Sequence, residues 1–541
     1  MTKRGYADMR EHIDALDAAG LLRRIDATID KDTELHPLVR WQFRGGIRED
    51  DRRAFLFENV IDGAGRRYDM PVVVGALAAS ARIYAIGMGV ELADIGETWR
   101  RAISRPIPPV EVISAPCHDV VISGDDLAKT GLDILPVPIS TPGFDSAPYL
   151  TATNCITRDP DSGIANMGTY RCGLKSPTRM GLKLFVHMGQ GGYTHWLKYR
   201  AGGERMPIAV VLGPPPVVSY CGPQSLATDV DEIAVAGGIA GAPIEMVQAK
   251  TVDLQVPAQA EIVIEGQVDT EFFEPEGPFG ESHGHINLEE YNFILDVTAI
   301  THRDGAILPS IISQVTPSES SVIKRVAYEP RFLGHLRDNL GIKGVNRVAP
   351  HEPLTNLRRV IAIQFARDTP TTEIWRALYG CSSFDSACGK YVIAINDDID
   401  PDNSDAVMWA MAYRANPGLD IEILRHRGRG HGPVETRGNG EDAALLVDAT
   451  LKSDMAPIAL PTRDHMEHAK DLWERLELPA LGPEAPWHGY SLGNWSDEWD
   501  AMARRPTQGG WRENGERSSQ RRRDDVEPNS PMESFGESKS S

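Results

Sequence analysis

Apolar residues at Met9, Ile13, Leu16, Leu21 and Leu22 recur at roughly helical spacing, which predicts an amphipathic helix over 7–25. Short apolar runs follow at 55–57 and 71–74. A longer helical pattern covers 81–104 and ends before the proline-rich Ile107-Pro108-Pro109. From about 110 to 313 strand patterns dominate, at 120–122, 208–212, 261–265, 293–301 and 306–312, with glycine and proline clusters at 189–192 and 213–216 between them. Beyond Pro317 the period changes. Residues 320–340 read as one long helix; strands at 360–365, 391–395 and 421–424 then alternate with helices at 372–378 and 405–414, which predicts a parallel α/β sheet. A last helix is expected over 463–476. From about 505 large apolar residues almost vanish, and disorder is expected. The predicted plan is an N-terminal α/β segment (1–109), a mostly-β domain (110–317), a linker helix (318–345), a C-terminal α/β domain (346–504) and a tail (505–541).

Composition narrows the function classes. With 541 residues, 41% hydrophobic and 25% charged, the chain can bury two or three cores. Its net charge of −21 repels nucleic-acid phosphates and anionic membranes, so neither is an expected partner. No apolar run reaches membrane-spanning length and the N-terminus lacks an apolar signal-peptide core, which predicts a cytoplasmic protein. The six cysteines are scattered without a C-x-x-C pair, so buried reduced thiols are expected.

The densest chemistry lies at Glu274-Pro275-Glu276-Gly277-Pro278-Phe279-Gly280-Glu281, where three acids share a segment that glycine and proline keep out of regular helix and strand interior, which predicts a rigid turn. Carboxylates this close repel unless a cation or a proton offsets them, and a shared proton suits a general acid. Three further polar segments stand upstream: Asn166–Arg171, His187 with Gln190 and His195, and Asp229–Glu232. Each has an ordinary structural account as a turn, a hydrogen-bonded imidazole or an acidic helix start. Taken together, Asn166, His187 and Glu232 offer the mixed oxygen and nitrogen set that suits Mn²⁺ or Mg²⁺ carrying a phosphate, while Arg171 can pair with Glu276 and leave Glu281 to move protons. The run Gly428–Gly432 lacks the order of a dinucleotide fingerprint, and the acidic Asn396-Asp397-Asp398-Ile399-Asp400 reads as a loop and helix cap.

Several ordered blocks resemble one family. They are N-x-G-x-Y-R at 166–171, A-x-x-L-G-P-P-P at 209–216, D-E-x-A-x-A-G at 231–237, V-P-A-x-A-E-I-V-I-E-G at 256–266, E-P-E-G-P-F-G-E at 274–281 and N-D-D-I-D at 396–400. In this the chain is similar to the UbiD-type reversible decarboxylases, which use prenylated FMN. The resemblance implies α+β and α/β architecture: a mostly-β, split-barrel-like flavin-binding domain joined by a long helix to a C-terminal α/β oligomerisation domain. It implies metal ligands at Asn166, His187 (or His195) and Glu232, and a catalytic network of Arg171, Glu276 and Glu281 with Glu281 as proton donor. Thr169, Tyr170 and Gln224 would lie against the cofactor, with K⁺ near Asn166 and Glu232, where Cys221 and Gly222 leave the details open. A carboxylic acid substrate, a flavin prenyltransferase as cofactor supplier and a homodimer or homohexamer are implied as partners. Carboxylation, a CoA-linked aromatic acid and a non-catalytic flavin-binding subunit are the alternatives. The bases at Lys175, Arg179 and Lys183 either serve a second anionic group on the substrate or neutralise local acids.

Overall fold

A computed structural model describes residues 6–184, 190–224, 226, 230–385, 388–428, 441–453, 455–481, 493 and 495–524. The first helix is shorter than its pattern suggests, Met9–Ala18. Gly20 adopts φ 69, a left-handed conformation that releases the chain into the strand Leu22–Asp30. The apolar Leu21 and Leu22 therefore pack as the start of a strand. In the same way the pattern over 81–104 resolves into two helices, Ala81–Met88 and Ile95–Ser104, divided by Gly89 at φ 66, whose N–H caps Ala85 and Ile86.

Leu22–Asp30, Ala54–Ile61 and Val72–Val74 form a sheet that also takes in Leu308–Ser310, so the N-terminal segment is stitched into the end of the central region. Among the described residues the central sheet has ten strands. At its middle the 13-residue strand Glu290–His302 pairs with Ile262–Val268, Arg179–Leu182, Val120–Ser123 and Glu274–Glu276. Among the described residues the strands trace an open path and do not close into a barrel. The short edge strand Ala165–Gly168 lies beside the helices Gly191–Gly202 and Glu232–Ala240.

The linker helix runs from Glu319 to Gly334, started by a capping box at Ser318, and His335–Asn339 continue it as a wider π turn. The C-terminal sheet has five strands among the described residues. It is parallel only at its centre, where Val360–Phe365, Tyr391–Asn396 and Asp442–Asp448 align. Val345–Pro350 and Ile421–Arg427 add antiparallel edges, so the sheet is mixed. Where a disordered tail is expected, from 505, the helix Trp511–Gln520 forms instead; neither it nor the helix Asp497–Thr507 before it buries a residue. All six cysteines are free and buried. No helix among the described residues is long and apolar enough to cross a membrane.

Candidate active site

The site begins where a strand gives way. Between Ala165–Gly168 and Cys172–Ser176, residues 169–171 leave the ladder, and their backbone is held from three sides. The Tyr170 carbonyl accepts from Thr153 Oγ1 at 2.6 Å. The Thr169 N–H donates to the Gly222 carbonyl at 3.3 Å, and the Arg171 carbonyl accepts from the Lys183 N–H at 3.2 Å. With its main chain fixed, Arg171 turns its side chain to the wall of a cavity of about 430 Å³.

There it meets the glutamate segment, which is more ordered than a turn. Glu274–Glu276 pairs with residues 290–292 and Phe279–Gly280 with Ile286–Asn287, on either side of a cis Gly277–Pro278 bond. Gly277 sits at φ 103, which glycine alone adopts readily. Arg171 Nε and Nη2 donate to the two oxygens of Glu276 at 3.1 and 3.0 Å, and Nη1 reaches Glu281. The side chains are 8%, 3% and 11% exposed respectively. Asn292 Nδ2 also donates to Glu276, at 2.7 Å. The Phe279 ring lies 4.6 Å from the guanidinium carbon. Glu276 is thus fully engaged and stands behind the arginine, whereas Glu281 lines the cavity.

A second part of the same wall is rich in oxygen. Glu232 opens the helix Glu232–Ala240, which Asp231 caps, and accepts from the Met167 N–H at 3.2 Å. Burial, the dominant cause, pushes its carboxyl up to about 7. Asn166 donates to the Tyr170 hydroxyl at 3.4 Å. A Cβ on Gly191 would fall 2.0 Å from Asn166 Oδ1, so glycine is required for this close approach. Asn154 Oδ1 and Gln224 Oε1 are buried with no hydrogen-bond partner among the described residues, although both residues line the cavity. Unpaired buried oxygens cost about 1–3 kcal/mol each, which a bound cation or ligand donor would offset. Amide and carboxylate oxygens suit a hard cation, so this donor set fits Mn²⁺ or Mg²⁺ with a phosphate, and K⁺ beside it. Cys221 adds nothing to such a site, because burial holds its thiol well above its ordinary pKa.

Asn166, Thr169, Tyr170, Arg171, Gln224, Glu232 and Glu281 all line this one cavity, and Glu276 joins through Arg171. His187 lies outside the described residues. His195 does line the cavity, with its Nδ1 2.9 Å from Thr157 Oγ1 and burial lowering its pKa. Among the described residues no three His, Cys, Asp or Glu side chains gather as a metal cluster. Of the bases named from sequence, Lys175 and Arg179 pair with Glu274, and Arg179 also with Asp296. Lys183 reaches the cavity but pairs with Glu290. These bases neutralise local acids. Sequence reasoning missed Asn154, Asn292, Lys324 and Arg358. Only Asn154 carried a local signal, a polar amide in the otherwise buried strand Thr153–Arg158.

Models of the three domains of 3-octaprenyl-4-hydroxybenzoate carboxy-lyase match in chain order: the N-terminal domain over 13–103, the Rift-related domain over 110–315 and the C-terminal domain over 326–449. Among solved structures, the UbiD-class enzyme HmfF from Pelotomaculum thermopropionicum, in complex with FMN, superposes with a TM-score of 0.75 at 27% identity, covering 86% of this chain and 99% of that one. An evolved dimeric form of that enzyme with prFMN gives 0.74 at 28%, covering 86% and 100%. Vanillic acid decarboxylase from Sedimentibacter hydroxybenzoicus, in open form, shares the fold with a TM-score of 0.71 at 23%, covering 87% and 100%. With all three domains matched in order around this cavity, the chain belongs to the UbiD family of carboxy-lyases.

Proposed function

We propose that this chain is a reversible, non-oxidative decarboxylase of an aromatic or α,β-unsaturated carboxylic acid, working with prenylated FMN and using Glu281 as its proton donor. The observation that carries the reading is the Arg171 fork. One carboxylate, Glu276, is spent on holding the arginine, and the other, Glu281, is left on the cavity wall. When bound, the prenylated flavin supplies the electron sink that no side chain offers for the pair left on carbon as CO₂ departs.

The residues of the chain do the rest. Asn166 and Glu232, with His187 on family grounds, would hold Mn²⁺ or Mg²⁺ against the cofactor phosphate, with K⁺ close by. Thr169, Tyr170 and Gln224 line the adjoining wall. Arg171 keeps Glu281 in register and stabilises the departing carboxylate. As the carbon–carbon bond breaks, Glu281 delivers a proton to the vacated carbon and a carbon–hydrogen bond forms. Each step runs backward with Glu281 as base, so high CO₂ favours carboxylation. Leu77, Phe279, Ile311 and Ile323 give the cavity apolar walls that limit water at the reacting carbon.

The cofactor would come from a flavin prenyltransferase, and buried reduced thiols suit a cytoplasmic setting. Self-association as a homodimer or homohexamer is supported by exposed Met408, Tyr413, Leu419 and Ile423 on the C-terminal unit. The test is CO₂ release by cofactor-loaded protein across a panel of aromatic and unsaturated acids. Turnover of at least one is expected. Bound cofactor with no turnover on any would favour a flavin-binding subunit instead.

A further inference from the structure

The cavity has a third part to its wall that the proposed chemistry leaves unused. Ser320, Ile323 and Lys324 lie on one face of the linker helix and line the hollow, and Arg358 reaches it from just before the strand Val360–Phe365. Arg358 is 7% exposed; its Nη2 donates to the Tyr328 hydroxyl at 3.2 Å, while its Nε is buried without a partner among the described residues. Lys324 is half-buried by area, but the space it reaches is the cavity, and desolvation pushes its pKa down to about 7. Asp385 attracts Arg358 through space. Lys324 senses Arg358 as repulsion and the buried Cys388 as attraction, and no described carboxylate pairs with it. Two cations that line one cavity and repel each other are unfavourable in low dielectric until an anion joins them.

We propose that Lys324 and Arg358 form a subsite for a second carboxylate of the substrate, which makes the substrate a dicarboxylic aromatic or unsaturated acid. The inference rests on the decarboxylase reading for the position of the first carboxylate. The group that leaves must lie at Arg171 and Glu281, because the vacated carbon takes its proton there. The oxygen-rich wall at Asn166, Gln224 and Glu232 repels carboxylates and suits a cation. An additional acid group on the substrate therefore finds its complement at Lys324 and Arg358. Both residues come from outside the β domain that carries Arg171 and Glu281, so the linker helix and C-terminal unit would set substrate choice while the β domain sets the reaction.

Binding of benzoate, isophthalate and terephthalate to protein loaded with plain FMN, measured by titration calorimetry, tests this without turnover. Wild type is expected to bind the better dicarboxylate at least about ten-fold more tightly than benzoate. Lys324→Met should abolish that preference while keeping FMN and leaving benzoate affinity within about two-fold. Lys324→Arg should restore most of it. Absence of a preference in wild type, an equal loss for benzoate in Lys324→Met, or loss of FMN from that variant would each overturn the subsite, the last by assigning the cations to the flavin phosphate. Loaded wild type that keeps the preference but never releases CO₂ would instead remove the decarboxylase reading and leave the subsite standing.

Discussion

Two acidic segments of this chain look alike and do different work. Glu274–Glu281 and Asn396–Asp400 each place three acids beside a strand, and each meets an arginine in a bidentate fork. Arg171 holds Glu276 at 3.0–3.1 Å with Phe279 stacked nearby. Arg414 holds Asp398 at 2.7–2.9 Å with Trp409 nearby at 5.1 Å. The second fork is closed: the Arg414 side chain is 0% exposed, Arg367 adds a further pair, and the Asn396 side chain accepts from the Leu451 N–H at 2.6 Å. Its acids tie the C-terminal sheet to the helix Ser404–Arg414. The first fork is open, since the same arginine reaches a second acid that borders a cavity. Acid density therefore does not distinguish a reactive site from a structural lock. What distinguishes them is a second carboxylate on the same arginine, with a hollow in front of it.

Mutations should separate the two. Glu281→Gln keeps shape and flavin but removes the transferable proton, so turnover should fall about 10³-fold with the flavin absorbance retained; near-normal rates would place the proton elsewhere. Asp398→Ala strips the partner from a buried guanidinium and should cost about 3 kcal/mol in denaturant unfolding, with activity per folded molecule unchanged. A reversed outcome, stability intact and activity lost, would erase the contrast. Glu232→Ala should weaken flavin retention about ten-fold or more after desalting, a loss that Glu281→Gln should not share.

The smallest effect is a pH dependence. In cofactor-free protein the Glu232 carboxyl is raised from its ordinary 4.5 to about 7, so the folded state binds more protons than the unfolded one between those values. Its contribution is present below about 4.5 and lost as pH rises towards 7. Relative to Glu232→Gln, the wild-type Tm should therefore drop as pH rises from about 5 to about 7.5, and Mn²⁺ with FMN should flatten the difference. A difference that stays constant across this range would mean that Glu232 is not desolvated.

Much of this was legible in the sequence because it depends on local pattern. Short runs rich in apolar and β-branched residues marked 208–212 and 293–301 as strands, and the glutamate segment announced itself by needing acids where a turn needs only glycine and proline. Element ends were hidden wherever one residue decided them. Gly20 and Gly89 adopt left-handed backbone and cut helices that the apolar period alone would extend. The mixed C-terminal sheet was missed because its antiparallel edge strands, Val345–Pro350 and Ile421–Arg427, follow from pairing, which spacing does not report. In the site, donors with a distinctive type and neighbourhood, such as Asn166 and Glu232, could be named. Lys324 and Arg358 could not. One is a base in a helix and the other a base before a strand, and only the tertiary fold turns both to the cavity.

At the open fork, Glu281 is proposed to replace the departing carboxylate with a proton drawn from solvent. Running cofactor-loaded protein in D₂O with a substrate it turns over, and locating deuterium in the product by NMR, measures this directly. One deuterium is expected at the carbon that lost CO₂, with both the release of CO₂ and the incorporation suppressed together in Glu281→Gln. Product carrying no solvent deuterium at that carbon, or labelled at an undiminished rate by the Gln variant, would contradict it.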